Sequence, residues 1–234
     1  MSFETTKTNK IRSPEFFATY LTGRIIDIGC GPDPVVPTAE AFDMKDGDAQ
    51  EIAKIRAVGA YDCVYSSHCL EHMCDVEAAL AQWWSLVKPG GYLITVVPDE
   101  DLYEQGVWPS RFNPDHKATF RLEGETSWSP VSRDIRKLIA SLPDVQIIAV
   151  ERQDMGYDHS LKGHGESRLG QAARKGINKF IRPVFRKIGW DGTAKPKPLL
   201  RLAHNWFGVL VDQSNYGALC QIQVVAQKNT NNLL

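Results

Sequence analysis

The sequence predicts an α/β fold built on a doubly wound, mostly parallel sheet, and three observations lead to it. Short β-branched segments alternate with segments of helical periodicity along the chain. The segment 92–97 is apolar throughout, which is typical of a strand buried on both faces. The segment 24–28 runs directly into a glycine-rich turn, and such turns lie where open α/β sheets bind their ligands.

Local signals predict the individual elements. Ser13 is a favoured N-cap and Pro14 a favoured first helical residue, so a short helix is predicted over 13–22. A longer helix is predicted over 75–87, ended by the cation, proline and glycines of residues 88–91. Further strands are predicted over 41–44, 61–65, 145–150 and 219–226, and a third helix over 131–142.

Length and composition indicate a single domain over residues 1–234. The chain is 43% apolar and has 27 Lys+Arg against 28 Asp+Glu, as in ordinary folded proteins. Its five cysteines are an odd, scattered number, which argues against a secreted disulfide framework. There is no apolar stretch of signal-peptide length at the start and no window near the roughly 18 apolar residues that span a bilayer. A cytoplasmic protein is expected.

The segment 153–217, between the last two predicted strands, is too long for a plain connection and is predicted to be a helical insertion or lid. Residues 152–201 hold 12 Lys+Arg and 4 Asp+Glu, a local balance of +8. An amphipathic basic helix is expected over 170–190. It would either pack on the domain or contact an anionic partner: a membrane surface, a lipid-linked or nucleotide-linked glycan or, ranked last, nucleic acid.

The turn Gly29-Cys30-Gly31 is the most informative motif. Glycines at positions 29 and 31 let the backbone turn sharply and let a ligand approach the main chain. A dinucleotide-binding loop is the alternative, but the third glycine of that fingerprint is missing. Pro32 and Pro34 also keep the loop from leading directly into a helix whose N-terminus could hold a pyrophosphate.

Three ordered segments resemble class I S-adenosylmethionine-dependent methyltransferases of the type 11 group. They are Ile26-Asp-Ile-Gly-Cys-Gly31, then Tyr61-Asp-Cys-Val-Tyr-Ser-Ser-His-Cys-Leu-Glu-His72, then Leu86-Val-Lys-Pro-Gly-Gly-Tyr-Leu93. The resemblance covers about residues 22–99. It implies a Rossmann-like fold and S-adenosylmethionine as the cofactor.

The resemblance also implies which residues bind the methionine part of the cofactor. The main chain of Gly29, Cys30 and Gly31 would pass close to it. Asp27 would fix the turn by hydrogen bonds or accept one from the amino group.

The same resemblance assigns the rest of the cofactor. Asp43 would accept hydrogen bonds from the ribose hydroxyls, and Asp48 would accept one from the adenine amino group, with Ala49 against the ring. Ser67 and His68 would lie under the sulfonium.

The pattern His68, Cys69, His72 and Cys74 is a candidate metal site, because two histidines at i and i+4 on a helix can share zinc. No second ligand pair with C-x-x-C spacing accompanies them. The sequence therefore predicts no metal.

The loop after the strand 92–97 contains the candidates for activating a methyl acceptor. His116, beside Asp115, has a suitable ordinary pKa for a general base, and Tyr103 or Asp99 is the next candidate. The leading hypothesis is O-methylation of a small molecule or glycan precursor. An N-methyltransferase or RNA methyltransferase, and a catalytically silent Rossmann-like binding module, are the alternatives.

Overall fold

A six-stranded sheet forms the centre of the protein, seen in a computed structural model that describes residues 4–122, 124, 126–165, 167–172 and 198–230. The strands along the chain are β1 (Ile25–Ile28), β2 (Glu40–Phe42), β3 (Tyr61–Ser67), β4 (Val87–Pro98), β5 (Thr119–Arg121), β6 (Ser132–Asp134), β7 (Val145–Gln153) and β8 (Gln221–Lys228). The main sheet has the order β2-β1-β3-β4-β8-β7, and β5 and β6 form a separate parallel pair.

The main sheet is mostly parallel, which confirms the predicted fold class. β2, β1, β3 and β4 pair in parallel, and β8 pairs antiparallel with both β4 and β7. Because β1 and β3 are neighbours, the glycine turn after β1 and the segment after β3 lie side by side at the carboxyl edge of the sheet. Open α/β sheets bind their ligands at this edge.

The α-helices are α1 (Glu4–Asn9), α2 (Pro14–Tyr20), α3 (Val76–Leu86), α4 (Ile135–Ala140) and α5 (Pro198–Phe207). Ser13 caps α2 by accepting a hydrogen bond from the Phe16 amide, and Asp75 caps α3 by accepting one from the Ala78 amide. Shorter helical turns cover Ala49–Lys54, Leu70–His72, Glu100–Glu104, His159–Leu161 and Ser214–Tyr216.

Helices cover both faces of the sheet, because strand residues alternate between two apolar clusters. Ile26 and Val64 belong to the cluster that includes α3, whose Trp83 is completely buried. Ile25 and Cys63 belong to the cluster on the opposite face, against which α2 packs. The indole N–H of Trp83 donates to the Ala49 carbonyl, so this large buried side chain leaves no polar atom unpaired.

Three elements differ from the sequence prediction. Strand β4 begins at Val87 rather than at residue 92, with a register shift in its pairing with β3 around residues 88–91. The region predicted as one helix over 131–142 divides into β6 and α4, because Asp134 caps the helix through the Lys137 amide. Helix α1 was not predicted.

The segment predicted as an insertion over 153–217 is described in part. It holds the turns at His159–Leu161 and Ser214–Tyr216 and helix α5. The basic helix expected over 170–190 falls largely on 173–197, outside the described residues. Within the described part of the chain, no helix combines the length and apolar character needed to cross a bilayer.

Candidate active site

The turn from Gly29 to Gly31, called the glycine turn below, follows β1 with positive φ values of 77° at Gly29 and 55° at Gly31. A β-carbon at Gly29 would lie 2.5 Å from the Cys69 sulfur, so the segment after β3 packs directly against this turn. A β-carbon at Gly31 would approach only Asp43 Oδ2 among the described residues, at 3.8 Å. Gly29 is therefore required for packing, whereas the space beside Gly31 stays open toward Asp43.

Asp27, the third residue of β1, is completely buried beneath the glycine turn. Its Oδ2 accepts a 2.6 Å hydrogen bond from the Val35 amide, which fixes the chain that follows the turn. Its Oδ1 has no hydrogen-bond partner among the described residues. Burial raises the pKa of Asp27 to about 7, although the Val35 amide and the Arg12 guanidinium both lower it. This carboxyl group is therefore poised to accept a proton or a cationic partner near neutral pH.

Arg12 is a site residue that the sequence analysis missed, because it lies in the connection between α1 and α2 and belongs to no motif. It donates to the Tyr65 hydroxyl at 3.1 Å and to Gln223 Oε1 at 2.6 Å, and its buried Nε has no partner among the described residues. The guanidinium therefore supplies a positive charge on the same side of the sheet as Asp27.

The acidic residues after β2 are more exposed. Asp43 accepts a hydrogen bond from the Met44 amide through Oδ1 at 2.7 Å, and its Oδ2 faces Gly31. Asp48 accepts one from the Gln50 amide at 2.8 Å and caps the turn Ala49–Lys54. The cap explains the conformation of Asp48 without a ligand, so its adenine-binding role stays a prediction.

Ser67 and His68 end β3 next to the glycine turn. The buried Ser67 hydroxyl has no hydrogen-bond partner in the described part of the chain. His68 adopts a positive φ of 52°, and its Nε2 lies 2.9 Å from Gln221 Oε1. Burial lowers the pKa of His68, but the Glu71 carboxylate, 3.5 Å from Nδ1, acts together with the Glu4 carboxylate and Gln221 to raise it, to about 9. A protonated His68 therefore pairs with Glu71.

His116 lies in a group of four side chains, the buried Glu71, Glu104 and His116 and the partly exposed His72, called the His–Glu cluster below. Nδ1 of His116 lies 2.6 Å from Glu104 Oε1, and its Nε2 lies 4.0 Å from Glu71 Oε1. Both glutamate side chains are 1% exposed. The cluster joins segments that are distant in sequence, the end of β3 and the loop after β4.

The two other candidate bases do not fit that role. Tyr103 stacks on His116 with ring centroids 5.2 Å apart, but burial and nearby carboxylates raise the pKa of its hydroxyl, so it stays protonated at neutral pH. Asp99 Oδ1 accepts from the Asp101 and Leu102 amides, and its Oδ2 accepts from Arg152 at 2.6 Å. Asp99 is thus a capping residue that shapes the turn carrying Tyr103, which corrects the sequence prediction for both residues.

Comparison with known proteins gives the family. The model of a methyltransferase domain matches residues 7–140, more than half of the chain. The chain belongs to the methyltransferase domain family. As a member of this family it is an enzyme, a methyltransferase that uses S-adenosylmethionine.

Solved structures show the same fold. A SAM-dependent methyltransferase from Archaeoglobus fulgidus is 18% identical with a TM-score of 0.50, covering 97% of this chain and 95% of that one. A chain of the complex that contains the Trm112 methyltransferase activator of Haloferax volcanii is 14% identical with a TM-score of 0.50, covering 96% and 90%. No curated protein matches the sequence.

The residues at the carboxyl ends of β1 and β2 fit this cofactor. S-adenosylmethionine supplies an electrophilic methyl group on a sulfonium. Among the described residues Asp27 Oδ1 and Arg12 Nε are both buried without a hydrogen-bond partner. Asp27 Oδ1 suits the ammonium group of the cofactor, and Arg12 Nε suits its carboxylate. Asp43 Oδ2 faces the open space at Gly31 and suits the ribose hydroxyls.

Proposed function

We propose that this methyltransferase transfers a methyl group to a hydroxyl oxygen of a small molecule or glycan precursor. The supporting observation is the His116–Glu104 pair with its 2.6 Å contact. An ionised Glu104 accepts the Nδ1 proton of His116, which leaves the lone pair of this imidazole on Nε2. Such a nitrogen can take the proton that a hydroxyl loses during methyl transfer.

The chemistry of the acceptor explains why this pair favours oxygen. Displacement at a sulfonium methyl needs a collinear nucleophile, and positioning provides much of the rate. An uncharged amine attacks without prior loss of a proton, whereas an alcohol becomes a strong nucleophile only as its proton leaves. A histidine held by a buried carboxylate, beside the segment that packs on the glycine turn, supports an acceptor that must be deprotonated.

The test compares acceptors that differ only in the attacking atom. Purified protein is incubated with methyl-labelled S-adenosylmethionine and with matched pairs, a phenol and the corresponding aniline, a sugar and the corresponding amino sugar. Mass spectrometry locates the transferred methyl group. We expect methylation of hydroxyl groups. Transfer to the amines with none to the hydroxyls would overturn the proposal in favour of N-methylation.

A further inference from the structure

Three potential ligand atoms converge inside the His–Glu cluster. One from each of Glu71, His72 and His116 lies within 4.8 Å of the other two. The Nε2 atoms of both histidines lie 4.0 Å from Glu71 Oε1, which is too long for a hydrogen bond. Glu71 Oε1 also lies 3.5 Å from Nδ1 of His68, but neither Glu71 carboxylate oxygen has a hydrogen-bond partner among the described residues. The ion pair with His68 compensates part of the charge, and the missing hydrogen bonds leave the buried carboxylate with capacity for a further cationic partner.

The opposite nitrogen of each imidazole faces a different carboxylate. Nδ1 of His116 lies 2.6 Å from Glu104 Oε1, and Nδ1 of His72 lies 2.9 Å from Asp115 Oδ2. Donation of the Nδ1 proton by His116 to the Glu104 carboxylate, and by His72 to the Asp115 main-chain carbonyl 3.3 Å away, leaves both Nε2 lone pairs directed toward Glu71. Histidines that bind metals typically use this arrangement, because the carboxylate fixes the tautomer and the orientation of the ring.

Two hydrogen bonds from Lys117 join the loop that carries His116 to the turn that carries Glu71 and His72. The Lys117 amide donates to the Glu71 carbonyl at 2.7 Å, and Lys117 Nζ donates to the His72 carbonyl at 2.6 Å. These bonds fix the loop that carries His116 onto the turn that carries Glu71 and His72. Such preorganisation lowers the cost of gathering the ligands.

We infer that this methyltransferase binds one divalent transition-metal ion through Glu71, His72 and His116. Two imidazole nitrogens and one carboxylate oxygen suit Mn²⁺, Co²⁺ or Zn²⁺ better than Mg²⁺ or Ca²⁺. Bond lengths of about 2.0–2.2 Å would require the ligand atoms to move together by about an ångström. Three protein ligands leave coordination positions open for another oxygen.

No metal was predicted from the sequence, where the histidines and cysteines that stand close together are a different set, His68, Cys69, His72 and Cys74. Only His72 belongs to both sets. Glu71 was visible in the same motif, but His116 comes from a separate loop whose position depends on the fold.

The ion would change how an acceptor hydroxyl is activated, and this consequence alone rests on the proposed function. A hydroxyl bound to the ion would lose its proton more readily, so His116 would act as a ligand and not as the base. Cation binding itself does not depend on the acceptor.

The experiment titrates Co²⁺ into tag-free, chelator-treated full-length protein by calorimetry, with the visible absorption of bound Co²⁺ as a second readout. We expect one ion per chain. His72→Ala is the principal variant because this side chain is partly exposed, and it should weaken binding at least about tenfold. Glu71→Gln should do the same. His159→Ala is the matched control, since this exposed histidine contacts Asp154 and the Tyr157 ring, outside the His–Glu cluster, and should leave the affinity unchanged.

The inference fails if the wild-type chain, with a cooperative unfolding transition, shows no saturable Co²⁺ binding at millimolar concentration. It fails equally if His72→Ala binds Co²⁺ as tightly as the wild type. Methylation of hydroxyls without ion binding would overturn the metal site alone and leave His116 as the base. Ion binding with methylation of amines only would overturn the proposed function alone.

Discussion

At the carboxyl ends of β1 and β2 the site combines main chain, the buried Asp27 and the partly exposed Asp43, whereas at the ends of β3 and β4 buried glutamates face histidines. Asp43 lies partly exposed beside the open space at Gly31. Glu71 and Glu104 are each 1% exposed and face histidines. In the first half, main-chain groups and the carboxylates of Asp27 and Asp43 are the groups expected to bind the cofactor. In the second half, burial of the glutamates lowers the local dielectric constant and strengthens their electrostatic contacts with the histidines.

The two halves also differ in how they tolerate change. A side chain at Gly31 would meet open space and suffer only the strain of the positive φ, but a substitution in the His–Glu cluster leaves a buried partner uncompensated. Four substitutions, ordered by decreasing expected effect, would show whether the cofactor half and the His–Glu cluster act separately.

The largest effect is expected at the contact between the two halves. Gly29→Ala forces a side chain into the left-handed region and against Cys69, so we expect the free energy of unfolding to fall by about 2–4 kcal/mol. Denaturant unfolding measures the loss. Adding Cys69→Gly removes the atoms in the way and should recover about 1 kcal/mol or more. Strict additivity of the two substitutions would contradict the proposed contact.

In the His–Glu cluster, His116→Gln should lower the turnover rate about 100-fold, because glutamine can pair with Glu104 but cannot accept the acceptor's proton or replace an imidazole ligand. The KM for S-adenosylmethionine should stay unchanged. Steady-state kinetics on a hydroxyl acceptor, with His159→Gln as the surface control, provide the measurement. Turnover near the wild-type value would exclude His116 from the reaction.

In the cofactor half, Asp43→Ala should have the opposite signature. Loss of charge-assisted hydrogen bonds to the ribose should raise the KM for S-adenosylmethionine about thirtyfold, while the fold and the turnover at saturation change little. Glu51→Ala is the control, because this exposed carboxylate pairs with Lys54 in the following turn. An unchanged KM would remove Asp43 from the cofactor site.

The smallest effect concerns pH. Asp27 has a pKa raised to about 7, and its ionised form should attract the ammonium group of the cofactor. Affinity for S-adenosylhomocysteine should therefore rise about tenfold between pH 6 and pH 8, as Asp27 loses its proton. Asp27→Asn should flatten this rise.

Because folding raises the pKa of Asp27, the same carboxyl group should make the free energy of unfolding smaller as pH increases from about 4 to 7. A variant that keeps the full pH dependence would assign it to another group.

The cofactor half could largely be predicted from the sequence, since its signals are local. A strand, two glycines and an acidic residue after the next strand stand close together in the chain, and neighbouring parallel strands bring them to one edge. The motif also predicted that Ser67 and His68 lie beside the glycine turn, and their contact with the cofactor stays a prediction. It could not predict Arg12, whose position depends on α2 packing against one face of the sheet, where Arg12 contacts Tyr65 and Gln223.

The His–Glu cluster could be predicted only in part. His116 was identified from its residue type, but its partner Glu104 is one of several acidic residues in the loop after β4. The choice among them depends on the turn that Asp99 caps. Residue type alone suggested Tyr103 and Asp99 as bases. Burial keeps the proton on Tyr103, and the Asp99 carboxylate already accepts hydrogen bonds from backbone amides and Arg152.

A crystal structure of the protein with S-adenosylhomocysteine tests the central claim most directly. We expect the methionine part of the ligand to lie against the glycine turn with its amino group at Asp27. Both ribose hydroxyls should lie within hydrogen-bond distance of Asp43. A ligand bound at the opposite edge of the sheet, in the shallow depression beside Tyr20, Asp62 and Tyr92, would contradict it.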